Sequence, residues 1–167
     1  FLRTEDIPIL CAEGAIDLGI TGSDLVSESG ADLQTRLKLG VGKCRLAICV
    51  PEDGGFRGIT DLQNARVATS FPRVTEQYLT QRQIDVHLVE LSGSVEIMIV
   101  LGVADAIVDL VETGSTLAAN RLRVIDEIGY YQTVLIQNND RREAELADRV
   151  ADAEPDRSFS HTRHVVH

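Results

Sequence analysis

The stretch GSVEIMIVLGVADAIVDLVETGSTL, residues 93–117, contains three segments with different apolar patterns. Its first part predicts a short helix over 93–102 that Ser94 caps. A strand over 104–111 follows, because the run Ala106 to Val108 is short and partly β-branched, which favours a buried strand of a parallel sheet. Small, hydroxyl-bearing residues then form a loop before a second helix. This alternation of helix and strand predicts an α/β fold.

The loop after this strand has the composition of an anion-binding site. The first backbone N–H groups of a helix have no partner within the helix, and Gly114 permits a ligand to approach the backbone closely. Each hydrogen bond to a charged group contributes about 1.5–3 kcal/mol, against about 0.3–1 kcal/mol for the helix dipole, so the donors dominate. The loop therefore predicts a phosphate-binding site. The alternative is that Thr113 caps the helix at an ordinary strand-to-helix junction.

The alternation of strands and helices continues on both sides of this stretch. The predicted strands lie at 15–22, 43–51, 65–70, 86–91, 122–128 and 132–138. The predicted helices lie between Thr4 and Gly14 and at 23–30, 72–83 and 141–152. Such an order favours largely parallel sheets covered by helices.

The composition argues against several classes of protein. With 26 Asp and Glu against 16 Lys and Arg, the formal net charge is −10 and no basic stripe appears, so we expect no nucleic-acid partner. No apolar run is long enough to span a bilayer and no signal segment is recognisable, which favours a cytoplasmic protein with no membrane contact. Cys11, Cys44 and Cys49 lack the paired spacing of zinc or redox sites and are predicted to be reduced core thiols.

Both ends of the sequence depart from the pattern. The chain starts at Phe1 without a methionine, in what resembles the end of a strand, so we expect that an N-terminal segment is absent. In residues 153–167, His161, His164 and His167 recur at intervals of three. A proline and the polar composition favour a disordered tail over a metal site there.

The opening stretch resembles the catalytic region of the ATP phosphoribosyltransferase family, which catalyses the first step of histidine biosynthesis. The family pattern has a Glu, a Gly, an Asp-Leu pair, a Thr-Gly pair and a Thr-Leu pair at fixed spacings. In this sequence these positions are Glu96, Gly102, Asp109, Leu110, Thr113, Gly114, Thr116 and Leu117. Two further blocks, at 6–24 and at 40–53 followed by 66–72, resemble the same family, so the resemblance covers roughly residues 5–140.

The sequence departs from the family pattern at three points. The family usually has an Ala-Pro pair after the motif Glu, where this chain has IMIV at 97–100, and a Gly after Asn120, where this chain has Arg121. The first change is expected to alter helix packing rather than chemistry. The family's N-terminal strand, with a basic loop that helps to hold substrate phosphates, has no counterpart here. The segment alone is therefore expected to bind substrate weakly or not at all.

The resemblance implies an enzyme that joins the adenine N1 of ATP to the ribose C1 of phosphoribosyl pyrophosphate and releases pyrophosphate, with Mg²⁺ as cofactor. It places Asp109 beneath the ribose, where its charge stabilises the developing cation. It includes Glu96 as a hydrogen-bonding residue rather than only a first-turn helix acid. The residues that it assigns to the 5′-phosphate are Glu112, Thr113, Gly114, Ser115 and Thr116. Mg²⁺ would neutralise the pyrophosphate, and no metal-ligating side chain is assigned.

The resemblance also implies a set of residues that bind ATP. These are Asp17, Gly19, Thr21, Gly22 and Asp24, in a tight turn after a strand, with Arg45 as a nearby cation. The alternative for Asp17 is an acid in a surface turn. The alternative for Arg45 is an ion pair across the hinge between two lobes.

The family architecture is a two-lobe fold of the type II periplasmic-binding-protein kind with a cleft between the lobes. Closing such a cleft excludes water from the transfer step. The first lobe is expected to contain residues 1–48 and 121–152, and the second residues 49–120 with the phosphate-binding loop. Residues 153–167 form the tail.

Partners are implied as well. ATP and phosphoribosyl pyrophosphate are the expected substrates, and a homo-oligomer is expected. Because the chain leaves no room for the C-terminal regulatory domain of the long form, the short form is favoured, which relies on a regulatory subunit resembling a histidyl-tRNA synthetase. The alternative function is a noncatalytic two-lobe module that binds or senses an anion or small molecule, because a fold does not fix a function.

Overall fold

The chain folds into two compact units, one of which is built from both ends of the sequence. The computed structural model describes residues 3–112, 115–139 and 165–166. The first unit takes Phe1–Lys43 with Gln132–His167, and the second takes Cys44–Tyr131. Among the described residues, no helix is both long and apolar enough to cross a membrane.

Short helices and strands alternate along the chain. The helices are α1 (Ile7–Ala12), α2 (Ser23–Ser29), α3 (Pro72–Thr80), α4 (Ile97–Val100) and α5 (Ser115–Ala119), with 3₁₀ turns at Thr4–Asp6 and Ile59–Leu62. The strands are β1 (Leu18–Gly22), β2 (Leu33–Lys38), β3 (Cys44–Pro51), β4 (Arg66–Thr69), β5 (His87–Glu90), β6 (Ala106–Val111), β7 (Leu122–Tyr131), β8 (Thr133–Asn138) and β9 (Val165–Val166).

The first unit contains a four-stranded sheet in the order β2-β8-β1-β9. Strand β8 runs antiparallel to both β1 and β2, and β9 runs parallel to β1. Helix α1 buries Ile7 and Cys11 against Val134 and Ile136 of β8. Full burial of an aliphatic side chain contributes about 1.5–3 kcal/mol, so this contact holds the helix on the sheet.

The second unit contains a five-stranded sheet in the order β5-β4-β6-β3-β7. Strand β4 is parallel to β5 and β6, whereas β3 is antiparallel to β6 and β7. The central strands supply most of the core, in which Ala47 and Cys49 of β3 meet Ile107 and Val111 of β6. Residues of β6 are therefore held from both sides by neighbouring strands.

The parallel strands of the second unit form a topological switch point. The chain passes from β4 through α3 to β5 on one side of β4, and then through α4 to β6 on the other side. The carboxyl ends of β4 and β6 consequently lie next to each other, and the chain continues from β4 to β5 at one edge of the sheet and from β6 to β7 at the other. In open α/β sheets, ligands bind at such points.

The α/β class is confirmed, but the sheets are mixed rather than largely parallel. The physical reason lies in how the chain enters and leaves the second unit. It enters through Cys44 at the start of β3 and leaves through Tyr131 at the end of β7, and these two residues pair directly. A strand that enters and a strand that leaves at the same end of a sheet must run antiparallel.

The limits of the units differ from the predicted limits at 48/49 and 120/121. Strands β3 and β7 both belong entirely to the second unit, so its limits fall at 43/44 and 131/132. The predicted tail at 153–167 and the predicted helix at 141–152 lie outside the described residues, except that Val165–Val166 pairs with β1. That dipeptide is therefore paired, in contrast to the predicted disorder.

Two local expectations were wrong. Ser94 does not cap a helix over 93–102, because its φ is +53° and the helix is limited to α4, with no side-chain cap. Cys11 and Cys49 are buried free thiols as predicted, whereas Cys44, the first residue of β3, is only partly buried. Strand β2 was not predicted, because most of its residues are polar or exposed.

Candidate functional site

A cavity of about 440 Å³ lies in the second unit beside β6. It is lined by the residue before α4, by β6 from Ile107 onward, by α5 and by the start of β7. The lining residues are Glu96, Ile107, Asp109, Leu110, Val111, Glu112, Ser115, Leu117, Asn120 and Leu122. The predicted catalytic residues Asp109 and Glu96 thus face one space, together with part of the predicted phosphate-binding loop.

Asp109 is the only charged residue within β6. It pairs with Ala47 of β3, and its Oδ1 accepts a hydrogen bond of 2.8 Å from the backbone N–H of Leu110. Burial raises the pKa of the Asp109 carboxyl above its ordinary value, and the negative charge of Glu96 raises it further, while the Leu110 N–H opposes both. An acid with a raised pKa in a cavity is a functional-site candidate on physical grounds.

Glu96 occupies the position before α4 and makes no capping hydrogen bond to the helix. Its carboxylate instead lies close enough to Asp109 to influence the protonation of that residue. The two residues approach from different elements, because the turn at 101–105 returns the chain from α4 into β6. Two carboxylates in one cavity can stabilise a positive charge that develops in a bound molecule.

The thiol of Cys49 lies in the same core but is not a candidate nucleophile. Burial raises its pKa to about 12, and the charge of Asp109 raises it while Arg45 lowers it. A thiol with so high a pKa stays protonated, and the thiolate is the reactive form. Cys49 therefore acts as a small core residue.

The predicted phosphate-binding loop joins a strand to a helix, as its composition indicated. Strand β6 ends at Val111 and α5 begins at Ser115, and both Glu112 and Ser115 line the cavity. Thr113 and Gly114 lie outside the described residues, as does the side chain of Thr116. The described part places the loop at the carboxyl end of β6, beside the topological switch point.

The predicted ATP-binding residues of the first unit gather around β1. Gly19 is buried, and a Cβ at this position would lie 2.5 Å from Cγ2 of Ile7, so the residue permits α1 to pack closely on the strand. Thr21 is buried, and its hydroxyl donates a 3.2 Å hydrogen bond to the carbonyl of Thr4. Both residues have clear roles within the fold.

The other members of that set lie at the two ends of β1. Asp17 precedes the strand and is partly exposed, and its carbonyl accepts a weak hydrogen bond from the thiol of Cys11. Gly22 ends the strand, and a Cβ there would overlap the carboxylate of Asp24. Burial raises the pKa of Asp24, while the backbone N–H groups of Asp24 and Leu25 oppose the shift.

Arg45 belongs to the second unit, whereas the rest of the predicted ATP-binding set belongs to the first. Its guanidinium forms an ion pair with Glu127 of β7, and the hydroxyl of Tyr130 donates to the same carboxylate. Arg45 does form an ion pair, but both partners belong to one unit, so the alternative of an ion pair across the hinge between two lobes was wrong. Its partner Glu127 was not anticipated, because two bulges in the pairing of β3 with β7 set which residues face each other.

Asn120 lines the cavity and was not selected by sequence reasoning. It follows α5, where its backbone N–H donates to the carbonyl of Leu117 and the next residue, Arg121, has φ +52°. In the family pattern, Asn120 only marks the residue before the usual glycine, where this chain has Arg121. The available signal was a polar residue between a short helix and a buried Leu122.

The described residues contain no group of three or more His, Cys, Asp or Glu that could hold a metal ion. Glu96 and Asp109 alone do not provide the near-complete octahedral set that a protein cage for Mg²⁺ requires. A Mg²⁺ ion with most of its ligands from water and substrate phosphates fits the residues present. We therefore assign no protein ligand to the metal.

The chain is similar to known proteins over most of its length. The family model of HisG, ATP phosphoribosyltransferase, matches residues 3–153. An ATP phosphoribosyltransferase of Rhodopirellula baltica is 66% identical over 150 residues, which are 90% of this chain and 50% of the relative. One of Methanopyrus kandleri is 46% identical over 150 residues, 90% of this chain and 53% of the relative. The chain thus spans about half the length of the curated relatives that it matches.

Solved structures agree with the observed fold. The ATP phosphoribosyl transferase (HisG:HisZ) complex from Thermotoga maritima gives a TM-score of 0.80 at 30% identity, covering 90% of this chain and 73% of the solved chain. Tv2483 bound to L-arginine gives a TM-score of 0.65 at 18% identity, covering 89% of this chain and 63% of the other. The second similarity shows the fold alone. It is consistent with the two-lobe type of fold that was predicted.

Proposed function

The chain belongs to the ATP phosphoribosyltransferase family, and on this premise we propose that the intact protein joins N1 of the adenine of ATP to C1 of the ribose of phosphoribosyl pyrophosphate. Pyrophosphate leaves in the same reaction. The observation that carries the proposal is that Asp109 and Glu96, both in the family motif, face one cavity beside the predicted phosphate-binding loop. The shared cavity supports the assignment of this acid pair to the ribose of the donor.

The chemistry requires a negative environment at C1. The bond from C1 to the pyrophosphate oxygen breaks, its electron pair leaves with pyrophosphate, and the N1 lone pair forms the new bond. Positive charge develops on the ribose as the leaving group departs. An ionised Asp109 next to that ribose lowers the energy of the cation, and Glu96 adds to the field. The raised pKa of Asp109 means that this stabilisation is lost more readily in acid than for an ordinary carboxylate.

The phosphate-binding loop would hold the 5′-phosphate of the donor. We assign this role to Glu112, Thr113, Gly114, Ser115 and Thr116 as a segment. Its backbone N–H groups and hydroxyls supply donors, while the acidic residues of the cavity supply none. The support is the position of Glu112 and Ser115 on the cavity wall.

Mg²⁺ is proposed to enter with the donor. When bound to the pyrophosphate it neutralises charge on the leaving group. The residues of this chain hold the ribose and the 5′-phosphate, so the metal needs no complete set of protein ligands.

The turn at the end of β1 is the proposed contact for ATP in the first unit. Asp17, Gly22 and Asp24 lie at the two ends of the strand, whereas Gly19 and Thr21 support the turn through their contacts with Ile7 and Thr4. Arg45 is proposed to contact a nucleotide phosphate by exchanging its ion pair with Glu127 for one with the ligand. Such an exchange conserves the number of charge pairs that the arginine makes.

A homo-oligomer and a regulatory subunit are proposed partners. The support is that a similar solved chain is described as part of a HisG:HisZ complex. The noncatalytic alternative is not favoured, because the family relatives are named as transferases.

The proposed function is tested by mixing the intact protein with ATP, phosphoribosyl pyrophosphate and Mg²⁺ and following the N1-linked adduct by its ultraviolet absorbance. We expect adduct and pyrophosphate to form in equal amounts, and omission of either substrate to abolish both. Tight binding of the donor without any adduct would support the noncatalytic alternative.

A further inference from the structure

The cavity beside β6 contains an imbalance between hydrogen-bond acceptors and donors. Three of its lining side chains, Glu96, Asp109 and Glu112, are carboxylates that only accept hydrogen bonds when ionised. Five others are apolar. Of the described side chains that line it, only Ser115 and Asn120 can donate a hydrogen bond. A ligand with hydroxyl groups satisfies the acids, but a ligand with phosphate oxygens needs donors.

Asn120 is held in a defined place by the backbone around it. Its N–H donates to the carbonyl of Leu117 at 3.1 Å, and the N–H of Arg121 donates to the carbonyl of Ala118 at 3.2 Å. The left-handed φ of Arg121 then turns the chain into β7, whose first residue, Leu122, is buried and pairs with Pro51. The backbone at Asn120 is therefore held between a helix and the start of β7.

Taken together, these contacts lead us to propose that Asn120 is a binding residue for the phosphoribosyl donor, its Nδ2–H group donating to a phosphate oxygen of that donor. The inference rests on the proposed function, since that function supplies the phosphorylated ligand. An ionised phosphate oxygen cannot be shared with Glu96, Asp109 or Glu112 without a cation between them. A neutral amide donor contacts the phosphate without adding charge to an already acidic cavity.

A comparison of asparagine with aspartate at position 120 separates the effect of a hydrogen-bond donor from the effect of a negative charge. Aspartate has nearly the same shape as asparagine but no N–H donor, and at this position it would add a fourth carboxylate to the wall. Loss of one hydrogen bond to a charged group weakens binding about ten- to a hundredfold. Replacement by a like charge should weaken it more than replacement by alanine, because repulsion is added to the lost bond.

The 5′-phosphate and the diphosphate of the donor present the same kind of oxygen. Ribose 5-phosphate and Mg²⁺-pyrophosphate, used as separate probes, show which of these two phosphate groups Asn120 contacts. Asn120→Asp should weaken binding of one of these probes about ten- to a hundredfold. The probe that loses affinity identifies the phosphate that Asn120 contacts.

The experiment is calorimetric titration of phosphoribosyl pyrophosphate with Mg²⁺ into intact wild-type protein and the variants Asn120→Asp and Asn120→Ala. Asn64→Asp is the matched control, because Asn64 is exposed, lies in the same unit and does not line the cavity. We expect weaker donor binding and a higher KM in both Asn120 variants, in the order Asp worse than Ala. We expect kcat at saturating donor to change by less than about threefold, and the control to match wild type.

Thermal unfolding of each variant separates a binding role from a merely structural one. If Asn120→Ala unfolds, Asn120→Asp, which keeps the shape of the side chain, still provides the test. Wild-type affinity for the donor and for both probes in folded Asn120→Asp would overturn the inference. A wild-type protein that forms no adduct would count against the proposed function instead, while the donor titration would still decide the role of Asn120.

Discussion

Glu96 and Asp109 face the same cavity of the second unit, and the charge of Glu96 adds to burial in raising the pKa of the Asp109 carboxyl. The two residues are separated by a short helix and a turn, and the turn brings them together. Asp109 is fixed within β6, where Leu110 donates to its Oδ1. The charge of Glu96 therefore affects the pH range over which Asp109 is ionised, which is the form that the proposed chemistry requires.

Glu96→Gln is expected to move the acid limb of the pH–activity profile to lower pH. The substitution removes a negative charge that disfavours ionisation of Asp109, so the pKa of Asp109 falls, although burial continues to hold it above its ordinary value. The measurement is kcat/KM against pH for the intact enzyme, with Glu90→Gln, outside the cavity, as control. An acid limb that stays in place in Glu96→Gln would show that the two carboxylates do not interact.

Asp109→Asn is expected to make the protein more stable at neutral pH. Folding raises the pKa of the Asp109 carboxyl. The contribution of Asp109 to the free energy of unfolding is therefore fully present below the unfolded pKa of about 3.9. It is lost as pH rises through the folded pKa, where the buried carboxyl ionises. Asparagine stays neutral and its Oδ1 can still accept from Leu110. Thermal unfolding between acid and neutral pH should show a gain that shrinks as pH falls. A variant less stable than wild type at neutral pH would contradict this.

Gly19→Ala is expected to destabilise the first unit by about 1–3 kcal/mol through overpacking. The added Cβ would meet Cγ2 of Ile7 at 2.5 Å. Ile7→Leu removes that methyl group while conserving volume, so the double variant should recover much of the loss. Denaturant unfolding of the two single variants and the double variant gives the coupling energy. Additive effects would mean that the close approach of α1 to β1 is not the cause.

Arg121→Gly is expected to stabilise the protein by up to about 1 kcal/mol, because glycine adopts a left-handed φ without the steric cost that other residues bear. The greater conformational freedom of glycine in the unfolded chain reduces this gain. Arg121 has φ +52°, at the position where the family usually has glycine. Arg121→Ala is the control, since it shortens the side chain without relieving the backbone. Equal stability of the two variants would assign the effect to the side chain instead.

The central strands could be predicted because their residues are short, apolar and β-branched. The predictions for β4 and β6 agree with the structure to within two residues at each end. Strand β2 was not predicted because most of its residues are polar or exposed, so no apolar pattern marks it, and its pairing with β8 involves partners distant in sequence. The antiparallel β3 and β7 could not be inferred from alternation alone, since their direction follows from where the chain enters and leaves the unit.

The site residues within the family motif could be predicted from the sequence. Those whose positions depend on the backbone conformation could not. The resemblance of one stretch to the family motif identified Glu96 and Asp109, and both residues line a common cavity. Asn120 depends on a left-handed turn at Arg121, a position that sequence patterns assign to glycine. The ion pair of Arg45 with Glu127 depends on bulges between β3 and β7, which no local pattern indicates.

The central claim is that Asp109 stabilises the ribose cation during phosphoribosyl transfer. The most direct measurement compares the intact wild-type protein with Asp109→Asn, recording adduct formation at saturating ATP, donor and Mg²⁺ together with calorimetric affinity for the donor. We expect the wild type to form the N1-linked adduct, and Asp109→Asn to lose about a hundredfold or more in turnover while its donor affinity changes by less than about threefold. Turnover near wild type with a collapse of donor affinity would contradict the claim and make Asp109 a binding residue only.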